Sequence, residues 1–112
     1  MNANEYQLSA LTTLNKTLST EQVLTNGVMG LCGEAGECCD LMKKHLFQGH
    51  ALDRDKLIDE LGDVLWYAAV TAHALGAGLD EVMEHNIEKL KKRYPEGFDA
   101  DKSVHRAEYN EK

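Results

Sequence analysis

The sequence predicts an all-α protein in which three to four helices per chain pack into a helical bundle. Apolar side chains recur at helical spacing in successive segments, whereas no segment alternates apolar and polar residues as a half-buried strand does. Residues that favour helix starts and stops separate these segments. A chain of 112 residues with 43% apolar content is long enough for one domain and too short for two.

The first predicted helix covers residues 4–14, where apolar side chains recur on one face. Asn4 and Gln7, three residues later, resemble a capping box, in which two side chains bond to the backbone at the start of a helix. A polar stretch over residues 15–19 is typical of a turn. We therefore expect a short first helix that ends near Leu14.

The second predicted helix begins after Ser19 and ends at Phe47 or Gln48. Ser19 with Gln22 is another capping-box pattern, and Gly49 can take the left-handed conformation that ends many helices. Inside this helix glycine recurs every third residue, at roughly 1 kcal/mol of lost helix propensity each. These glycines are Gly27, Gly30, Gly33 and Gly36. Two compatible reasons offset that cost: small residues let another backbone approach closely, and they leave room for a ligand.

The third and fourth helices are bounded by similar residues. Asp53 is the predicted N-cap of the third helix, whose broad apolar face continues to Leu75 before Gly76 ends it. Gly78 precedes the fourth helix, and Pro95 stops that helix because proline lacks the backbone N–H that a helix needs. Since the third helix is apolar around much of its girth, we expect a second subunit to cover part of it and complete the bundle.

The chain divides into a predicted helical domain over residues 1–98 and a polar C-terminal tail over residues 99–112. The tail is expected to be either a docked arm or a frayed end. The three cysteines are an odd number within one segment, which disfavours a disulfide framework and favours a reducing cytoplasm. Neither a secretory leader nor an apolar run long enough to span a membrane is expected.

The charge balance argues against one broad class of partner. The formal net charge is −7 and the isoelectric point is near 5.1. No broad basic surface is available to displace counterions from a nucleic-acid backbone, so nucleic acid is not expected as a partner. A small anion presented together with a metal ion is compatible with this charge.

Two pairs of carboxylates carry the strongest chemical information in the sequence. Each pair has a spacing of three residues, which places both side chains on one face of a helix. The pairs are Glu34 with Glu37, and Glu60 with Asp63. Their neighbours are mostly small or apolar, which indicates an interior site rather than a solvated face. Converging carboxylates repel one another without a cation between them, and an all-oxygen set favours Mg²⁺ before Mn²⁺ or Ca²⁺.

Two other kinds of metal site are disfavoured by spacing. A di-iron helical bundle calls for Glu-x-x-His on two helices, and this spacing is absent from the sequence. A zinc site needs ligands that converge, whereas Cys38 and Cys39 point in different directions on a helix. The three cysteines are therefore expected to be small core residues.

Residues on the third and fourth helices are candidates for contacts with a substrate. Asn86, Lys89 and Arg93 share one face of the fourth helix. They either bind phosphate beside a carboxylate-held metal or complement the helix dipole. Tyr67 lies one helical turn after Asp63, and its ring either contacts a base or sugar or has a plain packing role.

Five blocks of residues occur in an order and spacing typical of a known family. The blocks are residues 33–37 (GEAGE), 43–44 (KK), 59–67 (DELGDVLWY), 86–90 (NIEKL) and 93–98 (RYPEGF). From about Gly27 to Phe98 the sequence resembles the MazG-like nucleoside triphosphate pyrophosphohydrolases, in particular their small single-domain forms. The resemblance implies an all-α, Mg²⁺-dependent enzyme that cleaves a nucleoside triphosphate to the monophosphate and pyrophosphate, as a homodimer or homotetramer.

The resemblance also implies roles for individual residues. The family's metal ligands fall on Glu34, Glu37, Glu60 and Asp63. Its phosphate-contacting positions fall on Asn86, Lys89 and Arg93. We expect Glu34 and Glu37 to serve catalysis as well, with Glu37 orienting or deprotonating the attacking water.

Two functions of other classes stay open from the sequence. A non-catalytic helical interaction module would use the acidic pairs to hold a structural divalent cation, and it would bind Mg²⁺ without turnover. A small DNA-associated accessory protein would need a basic face, which only the cluster from Lys89 to Arg93 offers, and the net acidity opposes it. Product analysis with nucleoside triphosphates and Mg²⁺ distinguishes these functions.

Overall fold

The structure is a computed structural model that describes residues 1–109. Its α-helices are α1 (Ala3–Leu11), α2 (Thr20–Phe47), α3 (Arg54–Ala74), α4 (Leu79–Arg93) and α5 (Ala100–Val104). A 3-10 turn follows at Ala107–Tyr109. Apart from an isolated bridge between Pro95 and Gly97, residues 1–109 contain no β-structure, which confirms the predicted all-α class. Within this described range, no helix has the length and apolar character that crossing a membrane requires.

The chain forms two compact units, Met1–Leu79 and the remainder from Asp80. In the first unit the long helices α2 and α3 pack along each other, and α1 packs on α3. The second unit contains nearly all of α4, followed by α5 and the 3-10 turn. Residues 110–112 of the predicted tail lie outside the described residues, and the described part of that tail is largely helical.

Local start and stop residues bound α2 and α3 as predicted. The Ser19 hydroxyl accepts a hydrogen bond from the backbone N–H of Gln22 at 3.2 Å, and the Gln22 side chain accepts one from the Ser19 N–H at 2.9 Å. Asp53 caps α3 by accepting a backbone hydrogen bond at 3.0 Å. Gly49 and Gly76 have φ angles of 74° and 75°, the left-handed conformation that glycine adopts easily after a helix.

The predicted start of α1 at Asn4 is wrong. Asn2 is the N-cap, and its side chain accepts a hydrogen bond from the Glu5 N–H at 2.8 Å. Both asparagines are good capping residues, and each is followed three residues later by Glu or Gln. The earlier cap forms because the side chain of Gln7, which Asn4 would need for its capping box, bonds elsewhere. The helix then ends at Leu11.

Gln7 is buried and ties α1 to the turn between α3 and α4. Its amide nitrogen donates to the carbonyl oxygens of Ala69 and Ala77 at 3.0 and 3.1 Å, and its amide oxygen accepts from the Leu79 N–H at 3.0 Å. The last of these bonds satisfies the first N–H of α4, which has no partner inside that helix. Gln7 therefore meets its own hydrogen-bonding needs while it fixes the position of the turn.

The predicted stripe of glycines on α2 has different surroundings at its two ends. A Cβ at Gly27 would lie 2.2 Å from the Thr71 hydroxyl oxygen, and one at Gly30 would lie 2.1 Å from a ring carbon of Tyr67. These two glycines let α2 and α3 approach closely, which is one of the two predicted reasons for the stripe. At the two later glycines an added Cβ would meet no atom of the described chain within 4 Å.

The core of the first unit is small. Its buried apolar residues are Ala10, Val23, Ala69, Val70, Ala72 and Leu79. Larger apolar side chains of α3 stay about half exposed, with exposed fractions of 46%, 51% and 53% at Ile58, Leu61 and Leu65. Since these residues are three and four positions apart, they form one apolar stripe along the outside of α3.

The prediction that the cysteines are core residues is wrong at two of the three positions. Cys32 and Cys39 are exposed and Cys38 is half buried, and all three are free thiols on α2. At 100° of rotation per residue, Cys32 and Cys39 lie about half a turn around α2 from Gly30. They are exposed because α3 packs against the side of α2 that carries Gly30.

Candidate metal centre

Three of the four predicted metal ligands lie together between α2 and α3. One carboxylate oxygen from each of Glu34, Glu60 and Asp63 lies within 4.8 Å of the other two. Glu34 and Glu60 are half buried and Asp63 is exposed. These three residues are the acidic cluster, and the exposure of Asp63 leaves the acidic cluster open to solvent on one side.

The register of α2 against α3 produces the acidic cluster. The two helices are antiparallel, since the earlier of the two contacting glycines on α2 meets the later residue on α3. Gly30 lies against Tyr67. Glu34 follows Gly30 by one helical turn, and Asp63 precedes Tyr67 by one turn, so their side chains meet at the next level of the helix pair. The glycine contacts therefore set the distance between helices that lets the carboxylates converge.

Negative charge and hydrogen bonding raise the pKa of Glu34 above its ordinary value of 4.5. The largest cause is a hydrogen bond to the carboxyl group of Glu60, and burial and the charges of Asp63, Glu60 and Glu37 add to it. Two carboxyl groups hydrogen-bond to each other only when one of them carries a proton. The acidic cluster therefore has a strong tendency to take up either a proton or a cation.

The donor atoms of the acidic cluster fit a hard divalent cation. Carboxylate oxygens are the protein ligands that Mg²⁺ prefers, and Mg²⁺ commonly keeps further positions for water or substrate phosphate. A cation bound there would favour the ionised form of Glu34, whose pKa is raised without it. The acidic cluster contains neither cysteine nor histidine, so its chemistry differs from that of a structural zinc site.

Glu37, the fourth predicted ligand, is exposed and lies outside the acidic cluster. Its charge nevertheless contributes to the raised pKa of Glu34. It also contributes to the raised pKa of Lys44, whose main cause is the hydrogen bond to Asp40, with the two charged atoms 2.9 Å apart. Glu37 thus lies along α2 between the acidic cluster and the Asp40–Lys44 ion pair. Its metal and catalytic roles stay predictions.

Two tyrosines lie close to the acidic cluster. The ring of Tyr67 packs on Gly30 and meets the ring of Trp66 edge-on at a centroid distance of 5.0 Å, so a packing role is observed. Tyr6 of α1 donates to a backbone carbonyl of α3 at 3.5 Å, and its pKa is raised by burial and by the charge of Asp63. Tyr6 was not predicted as a neighbour of the site, because the apolar repeat in α1 does not show how far α1 lies from α3.

The predicted phosphate contacts lie on α4 and differ in their exposure. Asn86 is exposed and Lys89 is partly buried. Arg93 is only 12% exposed, because its guanidinium donates hydrogen bonds to the carboxylate of Glu108. No feature of the sequence indicates this pairing, since Glu108 lies 15 residues further along in the predicted tail. The substrate-binding roles of Asn86, Lys89 and Arg93 stay predictions.

Fold and site together define an all-α domain in which two long antiparallel helices hold a carboxylate cluster suited to a divalent cation. The sequence profile of the MazG nucleotide pyrophosphohydrolase domain matches residues 20–98, which is well over half of the chain. The chain therefore belongs to the MazG nucleotide pyrophosphohydrolase family, and the predicted family membership is confirmed.

A relative of known name comes from a bacteriophage. The Gene 37 protein of Mycobacterium phage L5 is 42% identical to this chain over 73 residues. The match covers 62% of this chain and 64% of the phage protein, so the chain spans slightly less than two thirds of that relative. No solved structure matches the chain.

Proposed function

We propose that this protein hydrolyses a nucleoside or deoxynucleoside triphosphate to the monophosphate and pyrophosphate, with Mg²⁺ as its metal ion and Mn²⁺ as a substitute. The observation that carries the proposal is the acidic cluster between α2 and α3, in a chain that belongs to a pyrophosphohydrolase family. In this reaction the anhydride bond between the α- and β-phosphates breaks. Water supplies the new oxygen of the monophosphate, and pyrophosphate leaves.

The metal ion would be held by Glu34, Glu60 and Asp63, with Glu37 as a further ligand. The oxygens of Glu34, Glu60 and Asp63 already converge, so these three residues need little rearrangement before the cation binds. Because the pKa of Glu34 is raised, cation binding competes with protonation of this carboxyl group. When bound, Mg²⁺ supplies positive charge to the phosphate oxygens and makes water a stronger nucleophile.

Glu37 is the proposed residue that orients or deprotonates the attacking water, and Glu34 assists it. Glu37 lies one helical turn from Glu34 and is exposed, so its carboxylate can reach a water molecule beside the acidic cluster. A carboxylate in that position accepts the proton that water loses as it attacks phosphorus. The proton passes to solvent after the products leave.

Substrate contacts are proposed for residues of two helices. Lys89 brings an ammonium charge and Asn86 an amide N–H donor, and both groups suit the oxygens of the pyrophosphate end. Tyr67, one helical turn from Asp63, is the proposed contact to the base or sugar through the part of its ring that Gly30 does not cover.

A second copy of the chain is the proposed cover for the apolar stripe of Ile58, Leu61 and Leu65, which gives a homodimer or homotetramer. Large apolar side chains that stay half exposed beside a small core are typical of a subunit interface. Light scattering of the purified protein should give a mass of two or four chains, and Leu61→Asp should reduce it to one. A wild-type protein that is monomeric at micromolar concentration would contradict this assembly.

The reaction is tested by incubating the protein with each ribo- and deoxyribonucleoside triphosphate and Mg²⁺, then separating the products. We expect monophosphate and pyrophosphate in equal amounts. Their formation should stop when EDTA is added and resume with excess Mn²⁺. Diphosphate with orthophosphate would show that a different bond is cleaved. Binding of Mg²⁺ with no product from any nucleotide would indicate the non-catalytic helical module instead.

A further inference from the structure

The guanidinium group of Arg93 is held by the carboxylate of Glu108 within the second unit. The Nε atom of Arg93 donates to Oε1 of Glu108 at 2.7 Å, and its Nη2 atom donates to the same oxygen. The two side chains are 12% and 6% exposed, although most side chains of this unit are exposed. The hydrogen bond to Arg93 is also the main reason that the pKa of Glu108 is lowered. This pair attaches the end of the described tail to α4.

The Arg93–Glu108 pair uses only half of the carboxylate. The second oxygen of Glu108, Oε2, is buried and has no hydrogen-bond partner among the described residues. A buried carboxylate oxygen without a partner loses its hydration and gains nothing in return. The lost hydration of Oε2 therefore offsets part of the attraction between Arg93 and Glu108. An anion that meets the guanidinium with two oxygens would bond to it more completely, as phosphate does.

Glu108 also lies beside a lysine that the proposed function assigns to phosphate. Lys89 of α4 lines a cavity of about 390 Å³, and Glu108 and Tyr109 of the tail line it as well. Lys89 and Arg93 are four residues apart, so both side chains lie on one face of α4. The carboxylate of Glu108 thus occupies one of two neighbouring cationic positions on that face and cancels its charge.

We propose that Glu108 competes with the polyphosphate of the substrate for Arg93, and that polyphosphate binding releases residues 99–109 from α4. This inference rests on the proposed function, because it takes the Lys89 and Arg93 face as the polyphosphate site. Glu108 then lowers the affinity for any weakly charged anion, whereas a triphosphate carries enough charge and oxygen atoms to displace it. The tail acts as an internal competitor that the substrate must replace.

Hydrogen exchange of the full-length wild-type protein tests the release, with inorganic tripolyphosphate as the probe. The backbone N–H groups of Ser103, His105 and Tyr109 are hydrogen-bonded within the tail. They should exchange faster when tripolyphosphate is bound, because the tail loses its attachment to α4. A peptide from the start of α2 serves as the internal control and should not change. Unchanged or slower exchange of the tail at saturating tripolyphosphate would overturn the inference.

Binding measurements on full-length variants test the competition itself. In calorimetry without metal, Glu108→Gln should bind tripolyphosphate about tenfold more tightly than wild type, the effect of one charge-assisted hydrogen bond. Glu84→Gln is the matched control, since it removes the same charge from an exposed position on α4 and should change affinity by less than about twofold. The double variant with Arg93→Gln and Glu108→Gln should lose this increase in tripolyphosphate affinity. Equal affinities of the Glu108 and Glu84 variants would refute the competition.

Hydrolysis assays separate this inference from the proposed function. Wild-type protein that hydrolyses a nucleoside triphosphate while tripolyphosphate leaves its tail unchanged would disprove the competition and leave the enzyme assignment standing. Release of the tail by tripolyphosphate without hydrolysis of any nucleotide would support the competition and disprove the enzyme assignment.

Discussion

A carboxylate oxygen of Glu34 on α2 lies within 4.8 Å of a carboxylate oxygen of Glu60 on α3, and hydrogen bonding to Glu60 is the main reason that the pKa of Glu34 is raised. Glu34 lies one helical turn beyond Gly30, where α2 contacts Tyr67 of α3. A proton and a divalent cation therefore compete for the same oxygens.

Without a divalent cation, the protein should lose stability as the pH rises through the raised pKa of Glu34. A raised carboxyl pKa means that the folded state holds its proton more tightly than the unfolded state, whose carboxyl titrates near the ordinary value of 4.5. This contribution is complete below pH 4.5 and disappears above the folded-state pKa. In EDTA, Glu34→Gln should therefore melt higher than wild type at pH 7, and the difference should shrink toward pH 4.5.

Addition of Mg²⁺ should reverse that order at pH 7, because the cation stabilises the wild-type carboxylates and has fewer ligands in the variant. Thermal melts across a pH series, with and without Mg²⁺, measure both effects. Glu21→Gln changes an exposed carboxylate of the same helix. It should neither raise the melting temperature in EDTA nor reduce the stabilisation by Mg²⁺. A wild-type melting temperature that Mg²⁺ leaves unchanged would count against the metal site.

Glu37→Gln should lower kcat by about 10² to 10⁴-fold, the usual contribution of a residue that moves a proton in the transition state. The helical content should not change, because Glu37 is exposed and glutamine is a good helix former. Steady-state release of pyrophosphate measures the effect, and circular dichroism checks the fold. If the variant turns over at the wild-type rate, Glu37 has no part in the chemistry.

Gly30→Ala should destabilise the first unit by about 1 to 3 kcal/mol, as overpacking of a tight contact does. The new methyl group would lie 2.1 Å from a ring carbon of Tyr67, so the ring or the helix must move. Gly36→Ala is the control, since a Cβ there meets no described atom within 4 Å. This substitution should stabilise the protein by up to about 1 kcal/mol, because alanine has a higher helix propensity than glycine. Denaturant unfolding compares the two, and a Gly30 variant as stable as wild type would refute the close contact.

Gln7→Met should cost about 2 to 4 kcal/mol, because it leaves buried backbone groups of the α3–α4 turn without their hydrogen-bond partner. Methionine has a similar size, so little volume is lost. The same substitution at Gln48, which is exposed at the end of α2, should change stability by less than about 0.5 kcal/mol. Chemical denaturation of both variants gives the comparison. If the Gln7 and Gln48 variants are equally stable, the α3–α4 turn does not depend on its hydrogen bonds to α1.

Features that depend on neighbouring residues were predictable from the sequence. Ser19 and Asp53 start α2 and α3 as expected, because a cap bonds to the backbone only two or three positions away. The spacing of Glu60 and Asp63 placed both on one face for the same local reason. The start of α1 was mispredicted because two overlapping caps compete, and the winner depends on where the Gln7 side chain finds its partners.

Features that depend on contacts distant in sequence were not predictable. The acidic cluster contains Glu34 but not Glu37, because the register of α2 against α3 decides which carboxylates converge. The proximity of Tyr6 to Asp63 depends on how α1 packs across α3. The partner of Arg93 comes from a tail whose composition shows only that it is polar. In each case a sequence pattern gives the face of a helix and leaves the neighbour of that face undetermined.

The confinement of every thiol to α2 makes this protein convenient for fluorescence work. The chain has three cysteines, and all of them lie on that helix. A maleimide dye therefore attaches to α2 alone, at Cys32 or Cys39, without any engineered cysteine. Cys32 lies about half a turn around α2 from Glu34, so a dye at Cys32 is attached on the side of α2 away from the acidic cluster and leaves it open.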